Sequence, residues 1–157
     1  HRLHICHLTT HQEVTFLASL GMQSLITSEV TPQHLWCYAP DVYTQWGTKA
    51  QINPPIRNKT HQQALLKGLQ TGVITCIGSD HAPHLASEKD QPFPKAPSGM
   101  PGVQTSLPLM IDAYQKGVFS LEKVAQIMAS EPARIYGIEK RGLLFLQVSM
   151  KGLEYPY

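Results

Sequence analysis

Three side chains that can bind a metal ion follow three separate apolar stretches of the sequence. In chain order they are His7, His34 and Asp80. Zinc binds neutral imidazole nitrogen and carboxylate oxygen, and a catalytic zinc keeps one position open for water. The three residues are far apart in sequence, so only the fold can bring them together. Two interpretations stay open: one zinc site formed by all three, or three packed and hydrogen-bonded polar residues.

The segment that begins at Asp80 is the richest in groups that can move a proton. Asp80 is followed by His81, Pro83 and His84. A carboxylate beside a metal-bound hydroxide can bind the ion and also accept and return a proton, while nearby histidines can donate to an anionic substrate. The other interpretation is a turn started by Asp80 and closed by Pro83, with solvated histidines. Under the first interpretation, Asp80 is the candidate catalytic residue.

Two proline-containing segments are candidates for substrate contact. Asn53 precedes Pro54 and Pro55, which would hold its amide in a fixed orientation for a planar imide or amide. The same segment is otherwise a rigid turn that ends in a surface arginine, Arg57. Residues 96–102 are either a flexible connector or a loop whose backbone approaches a ligand closely, as glycine permits.

The elements that must position these residues follow from the hydrophobic pattern. Short β-like runs alternate with helical runs, which favours βα units around a parallel sheet. The predicted strands are residues 3–8, 24–30 and 73–78, with a possible short strand before Asn53. Strict alternation would place His7 on the face of Leu3 and Ile5. The candidate ligands lie at the carboxyl ends of strands, where a (β/α)8 barrel places its chemistry.

Helix signals lie between and after the predicted strands. Four helices are predicted: after the capping boxes Thr10–Glu13 and Thr60–Gln63, near residues 103–115 and near residues 121–130. Residues 36–57 and the proline-rich stretch 79–102 are predicted to be mostly loop.

Composition limits the classes of function. The chain has 157 residues, of which 42% are hydrophobic and 15% charged, as in an ordinary globular domain. A net charge of +2 argues against a nucleic-acid partner. The three cysteines form neither a CxxC pair nor a disulfide framework, which favours a reducing compartment. No apolar run reaches the about 18 residues of a membrane span, so cytoplasm is the expected location.

Several of these motifs, in this order, resemble those of dihydroorotase, a member of the amidohydrolase superfamily. The resemblance covers about residues 1–140 and is carried by Ile-Cys-His-Leu-Thr-Thr (5–10), Thr-Pro-Gln-His-Leu (31–35), Asn-Pro-Pro-Ile-Arg (53–57) and Ser-Asp-His-Ala-Pro-His (79–84). It implies an α/β fold, a partial metal-dependent hydrolase (β/α)8 TIM-like barrel with approximately strands 5–8 and their helices. Residues 1–140 would be the C-terminal half of that barrel, and residues 141–157 a divergent tail in place of the usual small β-domain.

The resemblance also implies roles for single residues. His7 would be the metal histidine of the fifth strand, His34 that of the sixth, and Asp80 the eighth-strand ligand and general acid–base. The implied metal is Zn²⁺, as one or two ions in a complete enzyme. The implied substrate contacts are Asn53, His84, Ser98 and Gly99.

The implied reaction is the reversible conversion of N-carbamoyl-L-aspartate to L-dihydroorotate in de novo pyrimidine synthesis. The expected ligand is a small molecule, with no nucleic-acid or membrane partner, and the expected protein partners are a second copy or aspartate transcarbamoylase. An allantoinase or dihydropyrimidinase would share the barrel and metals. A non-catalytic scaffold chain or a truncated remnant of the enzyme would carry the same motifs.

The sequence departs from the family pattern at both ends. The family's early His-x-His pair and its carboxylated lysine have no counterpart here, and would lie before His1. We therefore expect residues 1–157 alone to have little or no dihydroorotase activity.

Overall fold

A short parallel sheet lies at the centre of the fold. The computed structural model describes residues 1–21 and 25–138. Its three strands are β1 (Leu3–Ile5), β2 (Ile26–Val30) and β3 (Cys76–Ile77), hydrogen-bonded in the order β1-β2-β3. Ile5 lies opposite Ser28, and Val30 lies opposite Ile77. Because the strands are parallel, their carboxyl ends meet at one edge of the sheet.

The sheet confirms the three main predicted strands in shortened form and lacks the fourth. Residues 51–52, where a short strand was predicted, are irregular. Ile52 instead packs into a small apolar cluster with Val42, Ala50 and Ile56. Within the described ranges β2 therefore pairs directly with β3. An assignment of β2 and β3 to the sixth and eighth strands of a barrel needs a strand between them, and this sheet has none.

Helices lie between the strands in sequence and after the last of them. In chain order they are α1 (His11–Ser19), α2 (Pro32–Trp36), α3 (Asp41–Trp46), a 3₁₀ turn (Gly47–Ala50), α4 (Lys59–Thr71), α5 (Ala86–Lys89), α6 (Val103–Gln115), α7 (Leu121–Ala125), a π-helical segment (Gln126–Ser130) and α8 (Glu131–Tyr136). The capping box predicted for α1 is confirmed, with Thr10 as N-cap and Glu13 reaching back to its amide. The helix predicted near residues 103–115 is also confirmed.

Two local predictions were wrong. The N-cap of α4 is Asn58 rather than Thr60, because the Asn58 side-chain oxygen accepts from the amides of Thr60 and His61. The stretch 36–57, predicted as loop, contains α3 and the 3₁₀ turn. The stretch 79–102 is mostly loop, as predicted, and contains the single turn α5.

The hydrophobic core lies on one face of the sheet. There β2 and β3 contribute Val30 and Ile77, and helices contribute Leu65, Leu69 and other buried side chains. Leu65 and Leu69 are 1% and 0% exposed. The other face carries polar side chains, among them His4 and Thr27, which share a hydrogen bond of 2.8 Å.

Within residues 1–21 and 25–138, no helix is long and apolar enough to cross a membrane. The predicted tail, residues 141–157, lies outside the described residues.

Candidate functional site

His7 and Asp80 have an unusual backbone conformation in common. Their φ angles are 40° and 43°, and no other non-glycine residue described has a positive φ. Each follows the end of a strand, β1 or β3. Left-handed backbone at a non-glycine residue costs on the order of 1–3 kcal/mol, and such residues cluster at functional sites. The turn at His7 also breaks the alternation of the strand, so counting from Leu3 and Ile5 does not give the direction of its side chain.

The side chains of His7 and Asp80 are available to a ligand. Both residues are half-buried. Neither side chain has a hydrogen bond or an ion pair with any residue that the structure describes. An imidazole and a carboxylate without protein partners, at the same edge of the sheet, can accept a cation or a substrate.

His34 is held quite differently. It lies in α2, is 2% exposed, and uses both ring nitrogens. Nε2 lies 2.9 Å from the carbonyl oxygen of Pro54, and Nδ1 lies 2.8 Å from the hydroxyl oxygen of Thr31. A carbonyl only accepts, so Nε2 carries the proton and Nδ1 presents a lone pair. A histidine whose second nitrogen donates to a carbonyl is typical of a metal ligand, and equally of a buried structural residue.

Electrostatics links His34 to the other two candidate ligands. Burial lowers the pKa of His34, while the Pro54 carbonyl acts in the opposite direction. The charge of His7 lowers the same pKa and that of Asp80 raises it, so both groups lie near enough to act on the ring. The net effect favours neutral imidazole, which is the form that binds metals.

The three candidate ligands do not form a closed set in this conformation. Among the described residues, one group of three metal-binding side chains has its ligand atoms within 4.8 Å of one another: His4, Glu29 and Cys76. The roles given to His7, His34 and Asp80 as a zinc set therefore stay predictions.

The cluster of His4, Glu29 and Cys76 is better explained as a polar contact across the sheet. Nε2 of His4 lies 3.2 Å from the Glu29 carboxylate. Burial and the charge of Glu29 raise the pKa of the Cys76 thiol to about 12, so this thiol keeps its proton at neutral pH. A cation here would have to displace this proton, because a thiol binds metals as the thiolate. None of the three was predicted as a ligand from the sequence, because only the register of the strands brings them onto one face.

Three of the predicted substrate residues lie together. Nε2 of His84 lies 3.1 Å from the carbonyl oxygen of Ser98. Gly99 has a φ of 141°, and a Cβ there would lie 2.7 Å from the carbonyl oxygen of Ala82 and 3.0 Å from Nε2 of His84. Only glycine therefore fits at position 99. The loop packs closely on residues 82–84, and its contact with a ligand stays a prediction.

A cavity of about 640 Å³ connects this loop with the fourth predicted substrate residue. Asn53 and Ser98 both line it. The wall that carries Asn53 continues into Pro54, whose carbonyl accepts from His34. Pro55 on the same segment accepts from the hydroxyl of Thr9, two residues after His7. These contacts tie the cavity wall to the end of β1 and to α2.

Two residues near the cavity have roles that sequence reasoning missed. Lys89 is 7% exposed, and its ammonium donates to the carbonyl oxygens of Gln51, Pro97 and Gly99. Nδ1 of His81, proposed as a donor to substrate, instead accepts from the amides of Gly102 and Val103 at 3.0 and 3.3 Å. It caps the start of α6 and leaves only Nε2 for another contact. Neither role has a sequence signal, because the partners are backbone atoms of distant residues.

Sequence comparison relates the chain to dihydroorotases. It is 39% identical over 154 residues to the dihydroorotase of Methanosarcina acetivorans, covering 94% of this chain and 33% of that protein. It is 39% identical over 140 residues to that of Halobacterium salinarum, covering 89% and 32%. The chain thus spans about a third of the length of these relatives. No protein-family model matches it.

Solved structures give the same relationship at the level of fold. An L-hydantoinase (dihydropyrimidinase) from Arthrobacter aurescens superposes with a TM-score of 0.81 at 29% identity, covering 88% of this chain and 32% of that one. The Saccharomyces cerevisiae dihydroorotase in complex with 5-fluoroorotic acid superposes with a TM-score of 0.73 at 16% identity, covering 85% and 38%. The second similarity concerns the fold alone. The chain has the α/β fold of part of an amidohydrolase barrel.

Proposed function

The chain is a homologue of the dihydroorotases over about a third of their length, and on that basis we propose that it forms part of a dihydroorotase-type cyclic amide hydrolase. The proposed reaction is the reversible conversion of N-carbamoyl-L-aspartate to L-dihydroorotate. The observation that carries the proposal is the pair His7 and Asp80, which follow the two outer strands of one parallel sheet in left-handed backbone and have no side-chain hydrogen bond to any described residue. Left-handed backbone at two non-glycine residues lowers the stability of the fold, so we infer that a function retains it.

The direct pairing of β2 with β3 refines the proposed place of the chain in the barrel. We place β1, β2 and β3 as three consecutive strands, where the sequence suggested four. Their carboxyl ends would contribute to the catalytic face. The polar face of the sheet would then point into the barrel, since the main hydrophobic core packs on the apolar face, although Tyr136 of α8 contacts His4 on the polar face.

Zinc is the metal that the proposed ligands suit. His7 and Asp80 offer free nitrogen and oxygen atoms, and His34 offers Nδ1 after exchange of the Thr31 hydroxyl. When bound, zinc would polarise the reacting carbonyl and lower the pKa of a water molecule. Residues 1–157 lack the family's His-x-His pair and carboxylated lysine, so further ligands would come from another part of the enzyme or from a partner.

Asp80 is the proposed acid–base group. Its carboxylate would take a proton from the attacking water and deliver it to the leaving ring nitrogen. Asn53 and His84 would hold the ring and its substituents by hydrogen bonds. The backbone at Ser98 and Gly99 would contact the substrate, because the missing Cβ at Gly99 leaves its peptide groups accessible.

A second candidate function is supported by the structural comparison with the hydantoinase. Hydantoinases, dihydropyrimidinases and allantoinases open related cyclic amides. A scaffold role toward a partner such as aspartate transcarbamoylase is a separate hypothesis, which a measurement of activity decides.

The test is a substrate panel on the complete polypeptide that carries residues 1–157, loaded with zinc. We expect turnover of L-dihydroorotate in preference to hydantoin, dihydrouracil and allantoin. Asp80→Asn should lower kcat by a factor of about 10²–10⁴, the usual contribution of a general acid–base group. Asp112→Asn, which removes an exposed carboxylate paired with Lys116, is the control and should leave kcat unchanged. Preference for another ring, or full activity of Asp80→Asn, contradicts the proposal.

A further inference from the structure

Lys89 is a buried cation without a carboxylate partner. Its side chain is almost fully enclosed, and no ion pair to it occurs among the described residues. Instead Nζ lies 2.9 Å from the carbonyl oxygen of Gln51, 2.8 Å from that of Pro97 and 3.0 Å from that of Gly99. Burying an ammonium group is costly unless all its protons are used. Here three protons meet three carbonyl oxygens, which is the full capacity of the group.

The three carbonyl oxygens belong to two different segments of chain. Gln51 lies on the segment that leads to Asn53, whereas Pro97 and Gly99 flank Ser98. The amide of Gly99 also donates to the carbonyl of Gln51 at 2.9 Å. The side chain of Gln51 donates to the carbonyl of Ala96 at 2.6 Å. Lys89 therefore sits at the junction of the two walls of the 640 Å³ cavity.

We propose that Lys89 is a positioning residue for substrate binding. Its ammonium fixes the backbone on both sides of Ser98 against the Asn53 wall, so the substrate meets a preformed site. The inference rests on the proposed function, because it takes Ser98 and Gly99 as substrate contacts. No other side chain type supplies three converging donors on a flexible stem, since the planar guanidinium of arginine has a fork geometry.

A positioning role and a purely structural role predict different kinetics. Lys89 lies outside the main hydrophobic core, which is built from the sheet and the helices that cover it. Loss of its hydrogen bonds should therefore loosen the loop and weaken substrate binding while the catalytic groups stay in place. A KM increase with a nearly constant kcat is the signature of lost binding. Loss of folded protein instead lowers kcat at constant KM.

The experiment compares Lys89→Met and Lys89→Arg in the complete polypeptide that carries residues 1–157, with L-dihydroorotate as substrate. We expect Lys89→Met to raise KM at least about tenfold with kcat within about threefold, because the carbonyls of Pro97 and Gly99 lose their donor and that of Gln51 keeps only the Gly99 amide. Lys89→Arg should give an intermediate KM. Lys95→Met, which alters an exposed lysine of the same loop, should match the unmodified enzyme. An unchanged KM in Lys89→Met overturns the inference.

Hydrogen exchange separates this inference from the proposed function. If the unmodified enzyme does not turn over dihydroorotate, the proposed function fails, and exchange at the Gly99 amide decides the role of Lys89 in holding the loop. Lys89→Met should speed this exchange at least about tenfold, while the amide of Ile74, bonded to Gly68 in the core, should be unaffected. Unchanged exchange at Gly99, or equal acceleration at both amides, overturns the inference.

Discussion

At the scale of single residues, the identity of the candidate ligands was readable from the sequence but their conformation was not. His7, His34 and Asp80 were found from residue type and from their places after apolar runs. Alternation assumes extended backbone, and the φ values of 40° and 43° at His7 and Asp80 break that assumption. The hydrogen bonds of His34 depend on Pro54, which is distant in sequence. A contact with a backbone atom leaves no trace in residue type.

Zinc binding should distinguish the histidines of this region. His7→Asn removes a free imidazole and should weaken zinc binding by more than about tenfold. His34→Gln should have a smaller effect, because Nδ1 must first leave the Thr31 hydroxyl. His4→Gln is the matched control, since His4 pairs with Thr27 and Glu29, and should bind zinc normally. The measurement is zinc per chain after equilibration with a competing chelator. Equal loss in all three variants contradicts the assignment of His7.

At the scale of elements, helix starts were predictable where one cap was available and not where two competed. Thr10 and Glu13 form the predicted capping box of α1. At α4, Asn58 stands two residues before Thr60, and its side-chain oxygen takes two amides at once. Asparagine is a slightly better N-cap than threonine, so the earlier start wins.

The stability given by the α1 cap should depend on pH. Burial opposes ionisation of Glu13, but hydrogen bonds from the Thr10 hydroxyl and the Thr9 and Thr10 amides outweigh it and lower the pKa. A lowered folded pKa gives stability that is present above the unfolded value of about 4.3 and is lost as pH falls through the folded value.

Glu13→Gln should therefore lower the free energy of unfolding by about 0.5–1 kcal/mol at neutral pH. The difference from the unmodified protein should shrink below about pH 4. Urea denaturation at several pH values measures both. Asp90→Asn, which breaks an exposed pair with Lys49, should change stability little at any pH. A difference for Glu13→Gln that grows on acidification contradicts the cap.

Gly102 joins the Asp80 turn to the start of α6. A Cβ at position 102 would lie 2.3 Å from the carbonyl oxygen of Ser79, a backbone atom that cannot rotate away. Gly102→Ala should therefore lower stability by about 1–3 kcal/mol and displace the neighbouring Asp80. Turnover should fall because Asp80 is displaced.

Gly117→Ala is the control for this prediction. Position 117 has a φ of 72° and open space around its Cβ. The alanine should lower stability by about 1–2 kcal/mol through backbone strain alone and leave turnover per folded molecule unchanged. Denaturation curves and activity assays on both variants give the comparison. Normal activity in Gly102→Ala contradicts the proposed coupling to Asp80.

At the scale of the whole molecule, the fold class was predictable because the alternation of β-like and helical runs is strong. The cavity was harder to predict from the sequence. Its walls include α3 and the 3₁₀ turn, which are short and carry no clear helical periodicity. They are fixed by long-range contacts such as the Tyr43 hydroxyl, which bonds the amide and the carbonyl of Ile56. The hydrogen bond of Lys89 to the backbone carbonyl of Gln51 is a long-range contact of the same kind.

The order of the strands restricts how the sheet can grow. In the part of the chain that the structure describes, β2 has partners on both sides, whereas β1 and β3 each have one. A fourth strand, from the same polypeptide or from another, therefore has two possible neighbours, Leu3–Ile5 or Cys76–Ile77. Closing the sheet into a barrel would need further strands at both edges. The closed sheet would then enclose the polar side chains His4 and Glu29.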